Sequence, residues 1–199
     1  MAMQPKTWVK KATQKKSKVQ IHDPRMTQVH GDKSGITVAT DRGRIHIYNG
    51  DLGFDPVDDY PDWRVATEGV TYTITGTVTT AHLLGIAEMA QVYVTKDRPK
   101  VLLTLEIHPD LLTATYKGED GNGSCLLRTG EVWVGYDPLY AVFNATGLAT
   151  ISLDPKFVID ALKGFAPEHD IIDFAIPENQ LFIRFQQAEY TAIIAQLRG

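Results

Sequence analysis

Four aspartates crowd into one short segment of the chain that also contains two prolines. The four are Asp55, Asp58, Asp59 and Asp62. Carboxylate oxygens are the ligands that Mg²⁺ and Ca²⁺ prefer, so this spacing could support a cation site and, through it, a small metal-dependent hydrolase. Pro56 and Pro61 exclude a helix or a central strand here, and carboxylates in such a loop are usually solvated by water. We therefore expect an acidic connector without a bound metal, and we keep the hydrolase as an alternative.

The other residue types that support catalysis form no recognisable pattern. The six histidines are scattered, and none is paired as His-x-x-x-His or Glu-x-x-His. The single cysteine, Cys125, excludes an internal disulfide and a zinc site built from cysteine pairs. The sequence also lacks a nucleophile elbow, a phosphate-binding loop and a dinucleotide-binding fingerprint. These observations predict a protein that is not an enzyme and that carries no cofactor.

The N-terminal segment has a charge opposite to that of the whole chain. Residues 1–22 contain six lysines and no acid, whereas the formal net charge of the chain is −4. A basic arm on an acidic body is one sign of contact with nucleic acid, and a solvated tail is an equal alternative on charge alone. The lysines are Lys6, Lys10, Lys11, Lys15, Lys16 and Lys18.

Length and composition predict a globular protein. At 199 residues and 43% hydrophobic content, the chain can bury a full core. No apolar run approaches the roughly 18 residues of a membrane span, and residues 1–20 lack the apolar stretch of a secretory signal. One cysteine is consistent with a reducing compartment. We expect a cytoplasmic protein that makes no contact with a membrane.

A β hairpin is the clearest element of the first third of the chain. Two alternating runs rich in β-branched residues, 36–39 and 45–48, flank a turn that contains Asp41 and Gly43. The pattern is also compatible with a short basic helix over residues 6–18, with a frayed, disordered segment as the alternative, and it favours a strand over residues 26–30. The acidic connector then leads to a larger unit that begins near residue 67.

The larger unit alternates between helices and short strands. Thr79 or Thr80 can cap a helix that runs to about Ala90, and Asp154 and Pro155 start a second helix that ends at Gly164. This order, in which each half is a helix followed by antiparallel strands, predicts an α+β domain with a pseudo-repeat. The predicted strands cover residues 70–78, 101–108, 111–116, 125–127, 131–134, 171–176, 181–185 and 190–197.

Two motifs carry a resemblance to a known family. The hairpin sequence VATDRGRI at 38–45, followed by YPDWR at 60–64, resembles the bacterial sliding clamp, the β subunit of DNA polymerase III. The family has Gly-His where this chain has Arg42-Gly43, and proline where it has Gln196. The resemblance implies a DNA clamp fold with two helices packed on antiparallel sheets. It implies a partial clamp domain over residues 1–66 and a complete C-terminal clamp-like domain over residues 67–199.

The resemblance also implies two binding sites. In clamps, the hairpin, the Pro-Asp-aromatic segment and the C-terminus form a pocket for a short peptide of a polymerase or clamp loader. The corresponding residues are Thr40, Gly43, Arg44, Ile45, Pro61, Val65, Ala66, Ile194, Leu197 and Arg198. The lysines of the N-terminal segment, together with Lys156 and Lys163 of the second helix, would face duplex DNA and contact its phosphates. The alternative is that these residues merely pack the first unit onto the second or form a solvated helix surface.

The implied function is that of a non-catalytic replication accessory protein. It would bind partner peptides and, without sequence specificity, double-stranded DNA. One and a half clamp domains cannot encircle DNA alone, so a ring would require a homo-oligomer with sheet edges paired between copies. A peptide-binding module that has lost DNA encirclement is the first alternative to this interpretation.

Overall fold

The computed structural model describes most of the chain. The described residues are 3–14, 23–94, 101–108, 111–118, 121–128, 130–134, 137–141, 144–165 and 171–197. They contain the helices α1 (Pro5–Lys10), α2 (Thr80–Val92) and α3 (Pro155–Leu162), and the 3₁₀ turns Pro24–Thr27 and Trp63–Ala66. No helix among these residues has the length and apolar character that a membrane span requires.

The strands form two main antiparallel sheets and one small one. The eight-stranded sheet has the order β1-β2-β3-β14-β13-β12-β4-β10, the four-stranded sheet β11-β5-β6-β7, and β8 pairs with β9. The strands are β1 (His30–Gly31), β2 (Thr37–Thr40), β3 (Arg44–Tyr48), β4 (Tyr72–Thr79), β5 (Leu103–His108), β6 (Leu111–Gly118), β7 (Gly121–Arg128), β8 (Gly130–Val134), β9 (Asp137–Ala141), β10 (Asn144–Ala145), β11 (Ala149–Leu153), β12 (Ile171–Pro177), β13 (Phe182–Gln187) and β14 (Tyr190–Ala195).

The predicted hairpin and both predicted helices of the larger unit are confirmed. β2 and β3 pair from Thr37↔Tyr48 to Thr40↔Ile45. The Asp154 carboxylate accepts a hydrogen bond from the Lys156 amide at 2.8 Å, which caps α3. α2 begins one residue after Thr79 and extends to Val92.

Two predictions for the N-terminal third are corrected. The predicted strand at 26–30 is wrong, because residues 24–27 form a 3₁₀ turn that the Asp23 carboxylate caps at the Arg25 amide. The predicted helix 6–18 ends at Lys10, and residues 15–18 lie outside the described part of the chain. Three strands, β9 to β11, were not predicted, although the sequence of β11, Ala149–Leu153, alternates between apolar and polar residues and carries a strand signal.

One hydrophobic core joins the two sheets and the three helices. It contains Trp8 from α1, Leu83 from α2 and Val158 from α3, together with Leu105 of the four-stranded sheet and Phe185 of the eight-stranded one. β3, which precedes residue 66, pairs with β14 near the end of the chain. The division into domains at residue 66 therefore remains a proposal, because the sheet and the core both run across it.

Candidate functional site

The hairpin turn lies between the acidic connector and the C-terminal segment. The Thr40 amide donates a hydrogen bond to the Tyr60 hydroxyl at 3.1 Å. The Ala195 amide donates to the Gly43 carbonyl at 2.8 Å. The three segments that carry the predicted peptide pocket are thus in direct contact.

The turn itself is held by the Asp41 carboxylate. It accepts hydrogen bonds from the amides of Gly43 and Arg44, both at 3.1 Å. Burial raises the pKa of Asp41, and the nearby Arg44 guanidinium opposes that shift. Arg42 adopts a left-handed φ of 75°, whereas a Cβ on Gly43 would lie 2.6 Å from Cε2 of Phe157. Glycine at 43 therefore makes room for an aromatic ring of α3.

The hairpin strands present two different faces, because side chains alternate along a strand. We call the face with Val38, Ile45, Ile47 and Ile193 the outer face, since these residues belong to one apolar cluster away from the main core. The opposite face packs on the main core and the helices, and we call it the helix face. Arg44, His46 and Ile194 lie on it.

The outer face is partly covered by the connector. Trp63 is buried against Val38, Ile47 and Ile193, and the cluster is surrounded by the half-buried residues Ile36, Ile45, Tyr60, Ala66 and Phe182. The Tyr60 ring stacks on His30 with their centroids 4.8 Å apart, and burial raises the pKa of Tyr60 to about 12. Val65, on the 3₁₀ turn that also carries Trp63, remains 72% exposed. This face therefore combines a closed aromatic centre with an exposed aliphatic side chain beside it.

On the helix face, Arg44 makes an internal ion-pair network. Its guanidinium bonds the Asp160 carboxylate at 2.7 Å and the Asp41 carboxylate at 3.1 Å, donates to the Lys11 carbonyl, and lies 4.3 Å from the centre of the Phe157 ring. Burial would raise the pKa of Asp160, but hydrogen bonds from Lys156 and Arg44 lower it overall. Arg44 is 5% exposed, so its charge is neutralised within the protein.

Trp8 and His46 pack against each other on the helix face. The Trp8 indole donates to the Ala161 carbonyl at 2.8 Å, and its ring stacks on His46 at 4.3 Å. His46 donates from Nδ1 to the Trp8 carbonyl at 2.9 Å, because a carbonyl oxygen can only accept. Burial lowers the pKa of His46 to about 3. Gly164 is required here, since a Cβ would lie 2.0 Å from the Trp8 ring.

The structure separates the ten predicted pocket residues. Thr40 and Ile45 lie side by side on the outer face, and the connector brings Pro61, Val65 and Ala66 to the same region. Gly43 and Leu197 lie at the adjoining edge, where the Leu197 amide donates to the Ser152 carbonyl at 2.8 Å. Arg44 and Ile194 occupy the helix face. Arg198 lies outside the described residues.

The predicted DNA-facing lysines differ in their partners. Lys156 pairs with Asp160 at 2.7 Å and Lys163 with Glu88 at 2.9 Å, while Lys11 lies 3.9 Å from Asp160. The exposed Lys6 and Lys10 lie 5.7 and 5.5 Å from the centre of the Phe54 ring and have no carboxylate partner among the described residues. Lys15, Lys16 and Lys18 lie outside the described part of the chain.

The four aspartates of the acidic connector could, from their spacing in the sequence, have formed a cation site. Within the described residues, no three His, Cys, Asp or Glu side chains come close enough together to hold a metal ion. Asp62 accepts a hydrogen bond from the Arg64 amide at 3.1 Å and so caps the 3₁₀ turn that carries Trp63. The connector's ordering role is thus to bring the Trp63 turn onto the outer face.

Several residues of this region could not be identified from the sequence. Phe157 and Asp160 contact the hairpin from α3, and their helix was predicted, but nothing in the sequence indicates that α3 lies beside β3. Phe182 and Ile193 join the outer face through strand register. Side chains alternate along a strand, so the sequence alone could have placed Arg44 and Ile45 on opposite faces of β3.

The comparison with known proteins identifies the fold. No protein-family model and no curated protein matches the sequence significantly. The sliding clamp of Pseudomonas aeruginosa bound to griselimycin superposes with a TM-score of 0.70 at 12% identity, over 97% of this chain and 62% of that one. The β subunit of Streptococcus pyogenes gives 0.70 at 15% identity, over 96% and 62%.

A third structure, the DNA polymerase III β subunit of Borrelia burgdorferi in complex with a natural product, covers 100% of this chain and 62% of its own, with a TM-score of 0.69 at 11% identity. This chain therefore spans about three fifths of the length of these solved clamps. It has an α+β fold, and that fold is the fold of the bacterial sliding clamp, the β subunit of DNA polymerase III.

Proposed function

We propose that this chain is a clamp-like, non-catalytic accessory protein of DNA replication that holds a partner through a short peptide docked on the outer face. The observation that carries the proposal is the contact of the hairpin turn with Tyr60 on one side and Ala195 on the other, within a clamp fold. These contacts support a binding surface to which all three segments contribute.

The chemistry of the outer face suits an extended peptide with aliphatic anchors. Ile45 and Ala66 are half-buried and Val65 is largely exposed, so a docked leucine would remove apolar surface from water on both partners. Fully burying one such side chain contributes about 1.5–3 kcal/mol. Backbone groups near the turn and polar side chains beyond it would set the direction of the peptide.

The first experiment measures binding of a fluorescein-labelled peptide that carries the clamp-binding motif of a bacterial replicative polymerase. We expect saturable binding, and competition by griselimycin, with which the P. aeruginosa clamp was solved. Ile45→Ala should weaken binding about tenfold, because it removes most of an apolar contact. Ile171→Ala is the matched control, since Ile171 is 45% exposed at the start of β12, three strands away from β3. Equal affinities for the two variants, or no binding by the wild type, would contradict the proposal.

Duplex DNA is the second proposed partner. Lys6 and Lys10 are the described lysines of the predicted set that are free to contact phosphates, and the remaining N-terminal lysines would add to them. Such binding is independent of sequence and falls steeply with salt. The internal pairing of Lys156 and Lys163 favours the alternative, a peptide-binding module without DNA contact. A DNA titration at two salt concentrations separates the two, because only the DNA-binding protein gives a salt-dependent isotherm.

A homo-oligomer is part of the proposal if DNA is encircled. A chain of about three fifths of a clamp's length must associate with further copies to surround a duplex. Light scattering with and without DNA measures this directly. A protein mass on DNA that exceeds one chain supports a ring. If the protein is a monomer with and without DNA, only the peptide-binding function remains of the proposal.

A further inference from the structure

Strand register places one row of residues straight across the outer face. Thr40 is opposite Ile45, Ile45 is opposite Ile193, and Ile193 is opposite a residue of β13. That residue is Arg184, which is opposite Ala175 of β12 in turn. A predicted pocket residue and an arginine therefore stand in the same row, two strands apart.

The Arg184 side chain is supported by an aromatic ring and forms no ion pair with any of the described residues. Its guanidinium lies 4.2 Å from the centre of the Tyr72 ring, and the Tyr72 ring meets Phe182 edge-on at 6.4 Å. No carboxylate of the described residues forms an ion pair with it, and its side chain is half-buried. Stacking on an aromatic ring fixes a guanidinium in place while leaving its N–H donors free for an anion.

An open cavity begins at this arginine. It has a volume of about 400 Å³, and its polar lining residues are Thr75, Thr77, Thr146, Asp173, Arg184 and Gln186. Arg184 thus stands between the apolar cluster of the outer face and a polar cavity. A peptide that leaves the cluster along the row would meet the arginine first.

Arg44 and Arg184 differ in their ion pairing and in the face of the sheet on which they lie. Arg44, which the family resemblance assigned to the pocket, is neutralised by Asp41 and Asp160 on the helix face. Arg184 has an aromatic support in place of a carboxylate and lies on the same face as Ile45. Of these two guanidinium groups, that of Arg184 is therefore the one available to a ligand on the outer face.

We propose that Arg184 is a specificity-determining residue that receives an acidic side chain of the docked partner peptide. This inference rests on the proposed peptide-binding function. Neighbouring strands lie about 4.8 Å apart, so Arg184 is roughly 10 Å from Ile45, and an extended peptide covers that distance in about three residues. The partner's acid accordingly stands about three positions from the aliphatic residue that is seated on Ile45.

Asp173 restricts the choice further. It lies opposite Gln186 in the next row of the same face, and it forms no ion pair among the described residues. A second acid directed into the cavity would approach this carboxylate, and like charges repel. The site therefore selects a peptide with one acid at the position of Arg184.

The test uses labelled ten-residue peptides with two adjacent leucines and a glutamate three positions away, placed before the leucines in one peptide and after them in another. Each has a partner peptide with glutamine in place of glutamate. Binding is measured with the full chain as the wild type, Arg184→Gln, Arg184→Lys and the control Lys33→Gln. Lys33 is exposed in the turn between β1 and β2, and its substitution removes the same charge.

We expect Arg184→Gln to weaken binding of the glutamate peptide that the wild type prefers on the order of tenfold, because a charge-assisted hydrogen bond is lost. The same variant should not distinguish glutamate from glutamine, Arg184→Lys should retain part of the affinity, and Lys33→Gln should behave as wild type. Thermal melts confirm that each variant is folded.

Two results overturn the inference. If the wild type binds each glutamate peptide as tightly as its glutamine partner, or if Arg184→Gln still prefers glutamate, Arg184 does not receive the acid. The peptide-binding function would still stand. If the wild type binds none of these peptides and also fails to bind the polymerase peptide, the proposed function and this inference fail together.

Discussion

Trp8 and Trp63 cover opposite faces of the same hairpin strands, and they do so in different ways. Trp8 is fully buried on the helix face, and its indole N–H donates to the Ala161 carbonyl. Trp63 is 7% exposed on the outer face, and its N–H has no partner among the described residues. The indole N–H of Trp8 is hydrogen-bonded, whereas that of Trp63 is buried without a partner among the described residues.

The contrast extends to the charged residues around the two rings. On the helix face, Arg44 and Asp160 form a buried ion pair that joins β3 to α3. On the outer face, the Arg184 guanidinium lies over the Tyr72 ring and forms no ion pair with any of the described residues. The helix face therefore holds the N-terminal segment on the C-terminal module, and the outer face keeps apolar surface and a cation available. A sheet can serve cohesion on one side and binding on the other.

The largest expected effect separates the two tryptophans. Trp8→Ala should lower the free energy of unfolding by about 3–5 kcal/mol, because it leaves a cavity between α1 and α3 and frees the Ala161 carbonyl. Trp63→Ala should cost less, since its smaller cluster lies near the surface and can collapse. Urea denaturation followed by circular dichroism measures both. A larger loss for Trp63→Ala would reverse the assignment of the two faces.

The ion pair gives the next largest effect. Asp160→Ala should cost about 3 kcal/mol, because it removes the nearest carboxylate from a buried guanidinium. The double variant Arg44→Met with Asp160→Ala should lose much less than the sum of the two single variants, since no uncompensated charge is left. Strictly additive losses in the same denaturation experiment would show that the pair does not couple β3 to α3.

His46 makes the stability of the helix face depend on pH. Its pKa is about 3 when folded and 6.5 as a free side chain, so the folded protein disfavours the proton. The stabilisation is complete above pH 6.5 and is lost as the pH falls from there towards 3, at about 1.4 kcal/mol per pH unit. The buried His82, whose pKa is also lowered, adds a loss of the same sign.

The variant His46→Asn isolates the contribution of His46. Asparagine can donate to the Trp8 carbonyl but does not titrate, so the loss between pH 7.5 and 5.0 should be about 2 kcal/mol smaller than in the wild type. His108→Asn, at an exposed position on β5, is the control and should follow the wild type. Identical pH profiles for the wild type and His46→Asn would contradict the burial of His46.

The smallest effect concerns the unpaired indole. Trp8→Phe should cost about 1–2 kcal/mol more than Trp63→Phe, because only Trp8 loses a hydrogen bond. Melting temperatures of the two variants provide the comparison. Equal losses would mean that the Trp63 N–H has a partner in solution.

Local patterns predicted the elements but not the faces. The alternation at 36–48 and the Asp154-Pro155 start of α3 are local signals, and both elements are present. The stack of His46 on Trp8 joins residues 38 positions apart, and the bond between Arg44 and Asp160 spans 116 positions. Such contacts depend on β3 pairing with β14, which no local pattern encodes. The family resemblance named three segments that meet at the hairpin turn. Alternation along β3 already separates Arg44 from Ile45, and the pairing of β3 with β14 adds Ile194 and Ile193 to the two faces.

Hydrogen–deuterium exchange of the full chain with and without the polymerase peptide tests the central claim most directly. We predict slower exchange on binding in residues 37–48, 60–66 and 190–197, which meet at the hairpin turn, and unchanged exchange in α2 and α3. Protection confined to the helices, or no protection anywhere at a saturating peptide concentration, would contradict docking on the outer face.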